Sequence, residues 1–438
     1  MTARIRGRAL AMAAAAFIGV HVAPGHAEVV NVERSGVFVV GGPPSGDAKS
    51  GLGVMEHPMM PIGELRARWT VSVGTDVLEH APVIDHQGSI CAVDSVGNVT
   101  AISKDGTVLW QVATGARDAA APAVLADDTI LIMSSSGDAV ALRAGVVLWR
   151  APATSRSRAP TAALALYDGG VAISVGPVIT LLDADGGIRA RTSIASSSVV
   201  SLLGFRDVIL AADTSGVVWS WTAGPGGPER VGSLGDRSDA PALIDRWLVS
   251  IASSGTRVVE LDILSHRSTV VAEARAGERF LGGPTLRESV RDGHWSAIIQ
   301  ASSPNGEFAI VLSDNGQEQS RRMIFSRAPV VLPDGGTQVP SSEPRTPLIV
   351  DASGTLVFST ASGDVGSVRG DTVQRLSGVC SPQRAQVRGA SEGSGSVRPS
   401  IVGLSWLPPR TILATCRSGI ISSLEEVPSG GQADQSNL

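Results

Sequence analysis

The sequence predicts an all-β protein, a single β-propeller of about eight four-stranded blades whose ring is closed by an N-terminal strand. Three observations predict it. A unit of about 40 residues recurs along the chain. Each unit holds four short apolar runs separated by turn residues. The last unit runs out one strand short, while a matching strand stands alone before the first complete unit.

The first complete unit opens at Ala81-Pro82, passes through Ile90-Cys91-Ala92-Val93 and ends at Leu109-Trp110. The second opens at Ala121-Pro122, passes through Ile130-Leu131-Ile132-Met133 and ends at Leu148-Trp149. Ala159-Pro160 opens a third. A fourth lacks the proline but keeps Val208-Ile209-Leu210 and Trp219. Ala240-Pro241, Gly283-Pro284, Thr346-Pro347 and Arg398-Pro399 open the remaining four. The later steps are longer, and the excess falls in residues 329–345, rich in Pro, Gly and Ser, and in the Gly/Ser tract 388–398.

Asp105-Gly106, Asp185-Gly186 and Asn315-Gly316 are hairpin dipeptides, because glycine accepts the positive φ that a tight turn requires. One such four-stranded unit cannot bury both faces alone, so neighbours must stack face to face. Strands buried on both faces read as continuous apolar runs, as at 130–133. Residues 65–73 carry Trp69 in the place of Trp110 and Trp149, and are expected to complete the eighth blade after residues 420–424. Trp69, Trp110 and Trp149 share one blade position and are expected to pack between blades. Trp219 and Trp221 alternate with Ser220, so they share one face of a strand.

Composition narrows the function classes. With 43% hydrophobic and 18% charged residues, the chain has the material for a core and is not disordered as a whole. The 50 glycines and 25 prolines punctuate short elements and break long helices. The net charge is −5 and the arginines are scattered, so the concentrated basic face of a nucleic-acid binder is missing. Arg4, Arg6 and Arg8 precede the apolar residues 9–22, and Gly25-His26-Ala27 follows. This is the layout of a secretory signal, residues 1–27, cleaved after Ala27, and it implies a periplasmic or secreted protein. No later stretch approaches the roughly 18 apolar residues of a membrane helix. Residues 28–64 form an extended segment in which Gly41-Gly42-Pro43-Pro44 and His57-Pro58-Met59-Met60-Pro61 argue against regular structure. Residues 65–428 form the propeller, and 429–438 a disordered tail.

An exported chain meets an oxidising compartment. Cys380 and Cys416 lie in neighbouring units and are a candidate disulfide. Cys91 sits in an apolar strand and reads as a buried free thiol. Gly389-Ala390-Ser391-Glu392-Gly393 matches the GxSxG pattern but has no helix after it, and reads as a loop. His57, His80, His86, His266 and His294 show no metal-ligand spacing. Asp127, Asp128, Asp183 and Asp185 fall at expected hairpin turns, without the late glutamate of a calcium loop. No residue is therefore assigned a catalytic, cofactor-binding or metal-binding role.

The order Pro-Val, Gly-x-Ile/Val, Ser-x-Gly-x-Val-x-Ala-Leu/Ile, Gly-x-x-Leu-Trp, clearest from Trp69 to Trp149, resembles the quinoprotein-type (PQQ-like) propeller repeat. That repeat occurs in quinoprotein alcohol dehydrogenases and in the propeller subunit of the bacterial outer-membrane barrel-assembly machine. The resemblance implies the propeller fold over about residues 65–427. It also implies two functions. The first is a monomeric, cofactor-free scaffold that binds envelope proteins. The alternative is a quinoprotein-like oxidoreductase using pyrroloquinoline quinone with calcium. The tryptophan-docking repeat of the enzyme branch has an aspartate where Ser103 stands and one residue more before Trp110, and its vicinal cysteine pair has no counterpart. A carbohydrate- or cell-wall-binding propeller is a further reading, with one tyrosine and 4% aromatics to stack on sugars.

Overall fold

The computed structural model describes residues 54–55, 65–73, 77–85, 87–120, 122–125, 127–152, 160–166, 169–194, 197–205, 208–222, 226–236, 239–288, 294–326, 330–331, 337–338, 348–351, 355–359, 363–369, 372–376, 378–380, 401–407 and 411–426. The signal segment, His57, His86, the GxSxG sequence and the tail lie outside these residues.

Eight antiparallel blades follow one another around the ring. Blade 1 is built from Val83–Ile84, Ile90–Val93, Asn98–Ile102 and Val108–Ala113, from the inner strand to the outer. Blade 2 runs Ala123–Val124, Ile130–Met133, Ala139–Arg143 and Val146–Ala151, and blade 3 runs Pro160–Ala165, Val171–Val175, Val178–Leu182 and Ile188–Ser193. Blades 4, 5 and 6 begin at Val199–Phe205, Asp239–Ile244 and Arg279–Glu288 and end at Glu229–Ser233, Arg267–Glu273 and Glu318–Ser326. Blade 7 runs Ile349–Asp351, Leu356–Ser359, Val365–Arg369 and Thr372–Leu376.

Blade 8 takes three strands from the C-terminal end, Ile401–Leu407, Thr411–Cys416 and Ile420–Glu426, and its outer strand from Leu65–Ser72. The closing pair runs from Leu65 opposite Glu426 to Ser72 opposite Ile420, with one irregularity between Ala67 and Trp69. This is the closure the sequence predicts. It removes the unpaired edge that the third strand of blade 8 would otherwise present.

The recurrent prolines sit at or in the inner strands. Outside blade 7, an inner strand among the described residues pairs on one side only, so a residue without an N–H on its free side costs no ladder bond. Pro241 and Pro284 fall inside register irregularities of those strands, and Pro160 borders one.

Stacking of the blades produces the core. Among the described residues the buried side chains form eight apolar clusters, and each bridges one pair of neighbouring blades. The run 130–133 shows why the apolar sequence is continuous: Ile130 and Ile132 face blade 1, and Leu131 and Met133 face blade 3.

A second set of joints lies near the rim. The Trp69 ring of blade 8 covers Gly106 in the next blade, and its indole N–H donates to the Lys104 carbonyl at 2.9 Å. Trp110 covers Gly145 of blade 2 in the same way. Trp149 covers Gly186 of blade 3 and donates to the Ala184 carbonyl at 2.7 Å. A Cβ at Gly186 would stand 2.6 Å from the Trp149 ring, and φ there is +83°. Glycine thus serves twice, for the turn and for the docking aromatic. Trp219 and Trp221 belong to the cluster between blades 3 and 4, and the Trp219 indole donates to Asp213 Oδ2 at 3.0 Å.

Cys380, in the connection from blade 7 to blade 8, is bonded to Cys416 at the end of the second strand of blade 8. Both sulfurs lie within the cluster that joins those blades. Cys91 is buried and unpaired, and burial pushes its thiol far above the usual range.

Candidate interaction face

The ring has two faces. One carries the connections between successive blades together with the turns between each second and third strand. The other carries the turns after each inner strand and before each outer strand. The first of these is fastened by a repeated pair of backbone hydrogen bonds.

Where the chain leaves an outer strand, its N–H donates to the second-to-third-strand turn of the same blade. Val73 donates to the Gly419 carbonyl, Thr114 to Gly97, Ile194 to Pro177, Leu234 to Gly216 and Ala274 to Thr256, at 2.7 to 3.0 Å. Further along, several connections accept from the equivalent turn of the next blade. Ser95 N–H donates to Val77, Ser135 to Arg117 and Thr214 to Ser198. The turns are themselves fixed by side chains. Asp94 Oδ1 accepts from the N–H groups of Val96 and Asn98, and Asp213 Oδ1 from those of Ser215 and Val217. An aspartate that folds back on its own turn in this way replaces solvent as the acceptor. Gly216 has φ +79°, and a Cβ there would stand 1.8 Å from the Gly235 carbonyl oxygen. The close approach of connection and turn therefore requires glycine at that position.

The result, among the described residues, is a hydrogen-bonded platform around much of the ring. It displays Glu79, paired with Arg417 at 3.1 Å, and the exposed side chains of Arg117 and Asp118. His80 belongs to the same face. Its Nε2 lies 3.0 Å from the Ala119 carbonyl, and burial holds its imidazole below the ordinary range. Between blades 1 and 2 the platform opens into a cavity of about 320 Å3 lined by Gly115, Ala116, Ser134, Asp138, Arg150 and Pro152. Arg150 Nη1 donates to the Thr114 carbonyl at 2.7 Å, which holds the guanidinium at the wall of that cavity. A fixed guanidinium beside a rigid turn suits the carboxylate or carbonyl of a protein partner. The connections from blade 6 to blade 7 and from blade 7 to blade 8, where the two long stretches fall, leave from this same face.

The opposite face is built from short turns with paired charges: Arg68 with Asp105, Arg143 with Asp127 and Arg189 with Asp183. The aspartates that sequence reasoning weighed as calcium ligands are thus engaged at hairpin turns. His266 closes a turn at φ +58°, and His294 Nδ1 is hydrogen-bonded to Asp314. Among the described residues no three His, Cys, Asp or Glu side chains converge on a point where a metal could sit.

One joint on that side went unnoticed in the sequence. The Trp295 indole of blade 6 donates to Glu260 Oε2 of blade 5 at 3.0 Å. Burial raises the Glu260 carboxyl from 4.5 to about 7; Trp295 and Arg246 oppose the shift, while Asp314 and Asp262 add to it. Below pH 4.5 the group is protonated in folded and unfolded chains alike. Between 4.5 and 7 the folded protein keeps a proton that the unfolded chain has lost, so stability falls as pH rises and levels off above 7. Glu260→Gln is therefore expected to match the wild type near pH 4.5 and to be the more stable protein at pH 8. Urea midpoints of both proteins across that range measure it, and a constant difference between the two curves refutes the assignment.

Comparison with known proteins follows from this architecture. The profile of the family described as outer membrane protein assembly factor BamB matches residues 95–358, more than half of the chain. The chain belongs to the BamB family. The match runs from the turn between the second and third strands of blade 1 to the second strand of blade 7. The crystal structure of BamB from Moraxella catarrhalis superposes with a TM-score of 0.53 at 18% identity, covering 84% of this chain and 98% of that one. The computationally designed Ika8 protein superposes with a TM-score of 0.59 at 14% identity, covering 82% and 99%. The quinohemoprotein alcohol dehydrogenase ADHIIG from Pseudomonas putida HK5 gives 0.54 at 10% identity, covering 84% and 78%. At these identities the likeness is one of fold. No curated protein matches the chain significantly.

Proposed function

We propose that this protein is an exported, non-enzymatic scaffold of the bacterial envelope, a monomer that holds protein partners on the face carrying the blade-to-blade connections. The observation that supports this most is the fastening of that face. Its connections and turns are tied by backbone hydrogen bonds around much of the ring, so a partner meets a surface already in place and little ordering entropy opposes binding. Membership of the BamB family supports the envelope location and a protein partner. Export supports the Cys380–Cys416 disulfide, which needs an oxidising compartment.

Affinity capture of the tagged mature protein from envelope extracts of its host, followed by mass spectrometry, tests the reading. A defined envelope protein is expected to be enriched. Arg117→Glu and Arg417→Glu, both exposed on the proposed face, are expected to abolish the enrichment, and Arg143→Glu on the opposite face to preserve it. Equal capture by all three variants would place the contact elsewhere and refute the reading.

The structural likeness to a quinohemoprotein alcohol dehydrogenase favours a second reading, a quinoprotein-like oxidoreductase. Calcium at such a site takes six to eight oxygen ligands. Carboxylates, side-chain amides and backbone carbonyls can all supply these oxygens, and among the described residues no three His, Cys, Asp or Glu side chains converge. Titration with pyrroloquinoline quinone and calcium, read by thermal shift and absorbance, decides it; an unchanged melting temperature and spectrum would end this reading.

A further inference from the structure

We infer that Val54–Met55, from the chain's own N-terminal segment, occupies the central channel of the ring and runs from the face of the blade-to-blade connections towards the other. The residues involved lie in the stretch whose composition argues against regular structure. Val54–Met55 nevertheless forms a short strand, and it joins blade 7 beyond the inner strand, as the fifth strand of that sheet. Among the described residues no other blade carries a fifth strand. The free edge of an inner strand faces the axis of the ring, so a strand on that edge lies in the channel. Val54–Met55 also lies against the inner strand of blade 6, Arg279–Glu288, as a strand in the channel would.

Polarity fixes the direction. Val54 pairs with Val350 and Met55 with Asp351, in parallel. The inner strand of blade 7 runs away from the connection that precedes it, so Val54–Met55 runs the same way, from the connection face towards the opposite one. Leu65–Ser72 then begins beside Glu426, at the far end of the third strand of blade 8, and climbs back. Met55 and Leu65 thus end and begin on the same side of the ring, one at the axis and one at the rim. Ten residue steps reach at most about 33–36 Å, against about 15–20 Å for the width of a four-stranded blade, so the link closes without strain.

Blade 7 gains a backbone partner from such an occupant. Its inner strand, Ile349–Asp351, has three residues. A short strand with one bonded side is a weak edge, and an added strand supplies backbone partners on the other. The inference stands apart from the scaffold reading, and its test uses no partner.

Hydrogen exchange of the mature protein is compared with that of a V54P/M55P variant, which cannot donate a hydrogen bond from either position. Amides of residues 349–351 are expected to exchange at least ten-fold faster in the variant, with blades 1 to 5 unchanged as proof of folding. Unchanged exchange at 349–351 overturns the inference. Cysteine pairs read the direction in an otherwise unaltered chain: M55C/D351C is expected to cross-link with a short bifunctional reagent and M55C/I349C to fail. The reverse result means an antiparallel pairing and a segment that enters from the other side, and absence of either cross-link removes the strand from the channel.

Discussion

Replacing Cys416 with alanine is expected to lower the stability of the oxidised protein by about 4 kcal/mol. The bond closes a loop of 36 residues, and the chain entropy it removes from the unfolded state grows with the logarithm of that length. Its position adds meaning to the number. Cys380 belongs to the connection leaving blade 7, and Ile401, where blade 8 begins, is paired with Cys416 itself. Both ends of the long stretch between them are therefore clamped at one residue, next to the blade that closes the ring. Cys380→Ala should cost the same, and the double variant little more than either, because all three remove one bond. Urea midpoints measured with and without reductant separate the cases. A loss below about 1 kcal/mol would mean that the unfolded chain already holds these residues together. Under native conditions thiol reagents should find no reactive group, since Cys380, Cys416 and Cys91 are all buried.

Phe358→Ala is expected to cost about 3–5 kcal/mol, the range for a large aromatic deleted from a packed core. Phe358 is fully buried in the cluster between blades 6 and 7. It pairs across the sheet with Gly366, and a Cβ at Gly366 would stand 2.2 Å from the ring. The missing side chain at one position makes room for the ring at the other, a pairing that offsets the weakness of glycine in a strand. Gly366→Ala alone is therefore expected to destabilise by roughly 1–3 kcal/mol, through overpacking. In a Phe358→Ala background the same change should be neutral or favourable, because the ring it strikes is gone. A double-mutant cycle reads this directly. Additive costs would show that the glycine serves another purpose.

Much of the architecture was legible because its signals are local. Ala81-Pro82 and Ala121-Pro122 mark inner strands, where an edge accepts proline, and the continuous run 130–133 marks a strand covered on both faces. The lone strand at 65–73 could be matched to the unit that lacked one, because Trp69 repeats the position of Trp110 and Trp149. The candidate face was not legible in the same way. Its fastening bonds are made by the backbones of Val73, Thr114, Ile194, Leu234 and Ala274, whose side chains have no common property. Nor does anything in the residues around Glu260 announce that Trp295, 35 positions later, meets it across a joint.

The sequence by itself determined the repeat, the number of blades and the way the ring closes, because strand periodicity and turn chemistry act within a few residues. Tertiary structure alone decided which side chains meet between blades, as Glu260 meets Trp295 and Phe358 covers Gly366. It alone decided which face is fastened by backbone bonds, and where Val54–Met55 finds a partner strand. Those contacts depend on the small rotation from each blade to the next, summed around a closed ring, and no short stretch of sequence carries that sum.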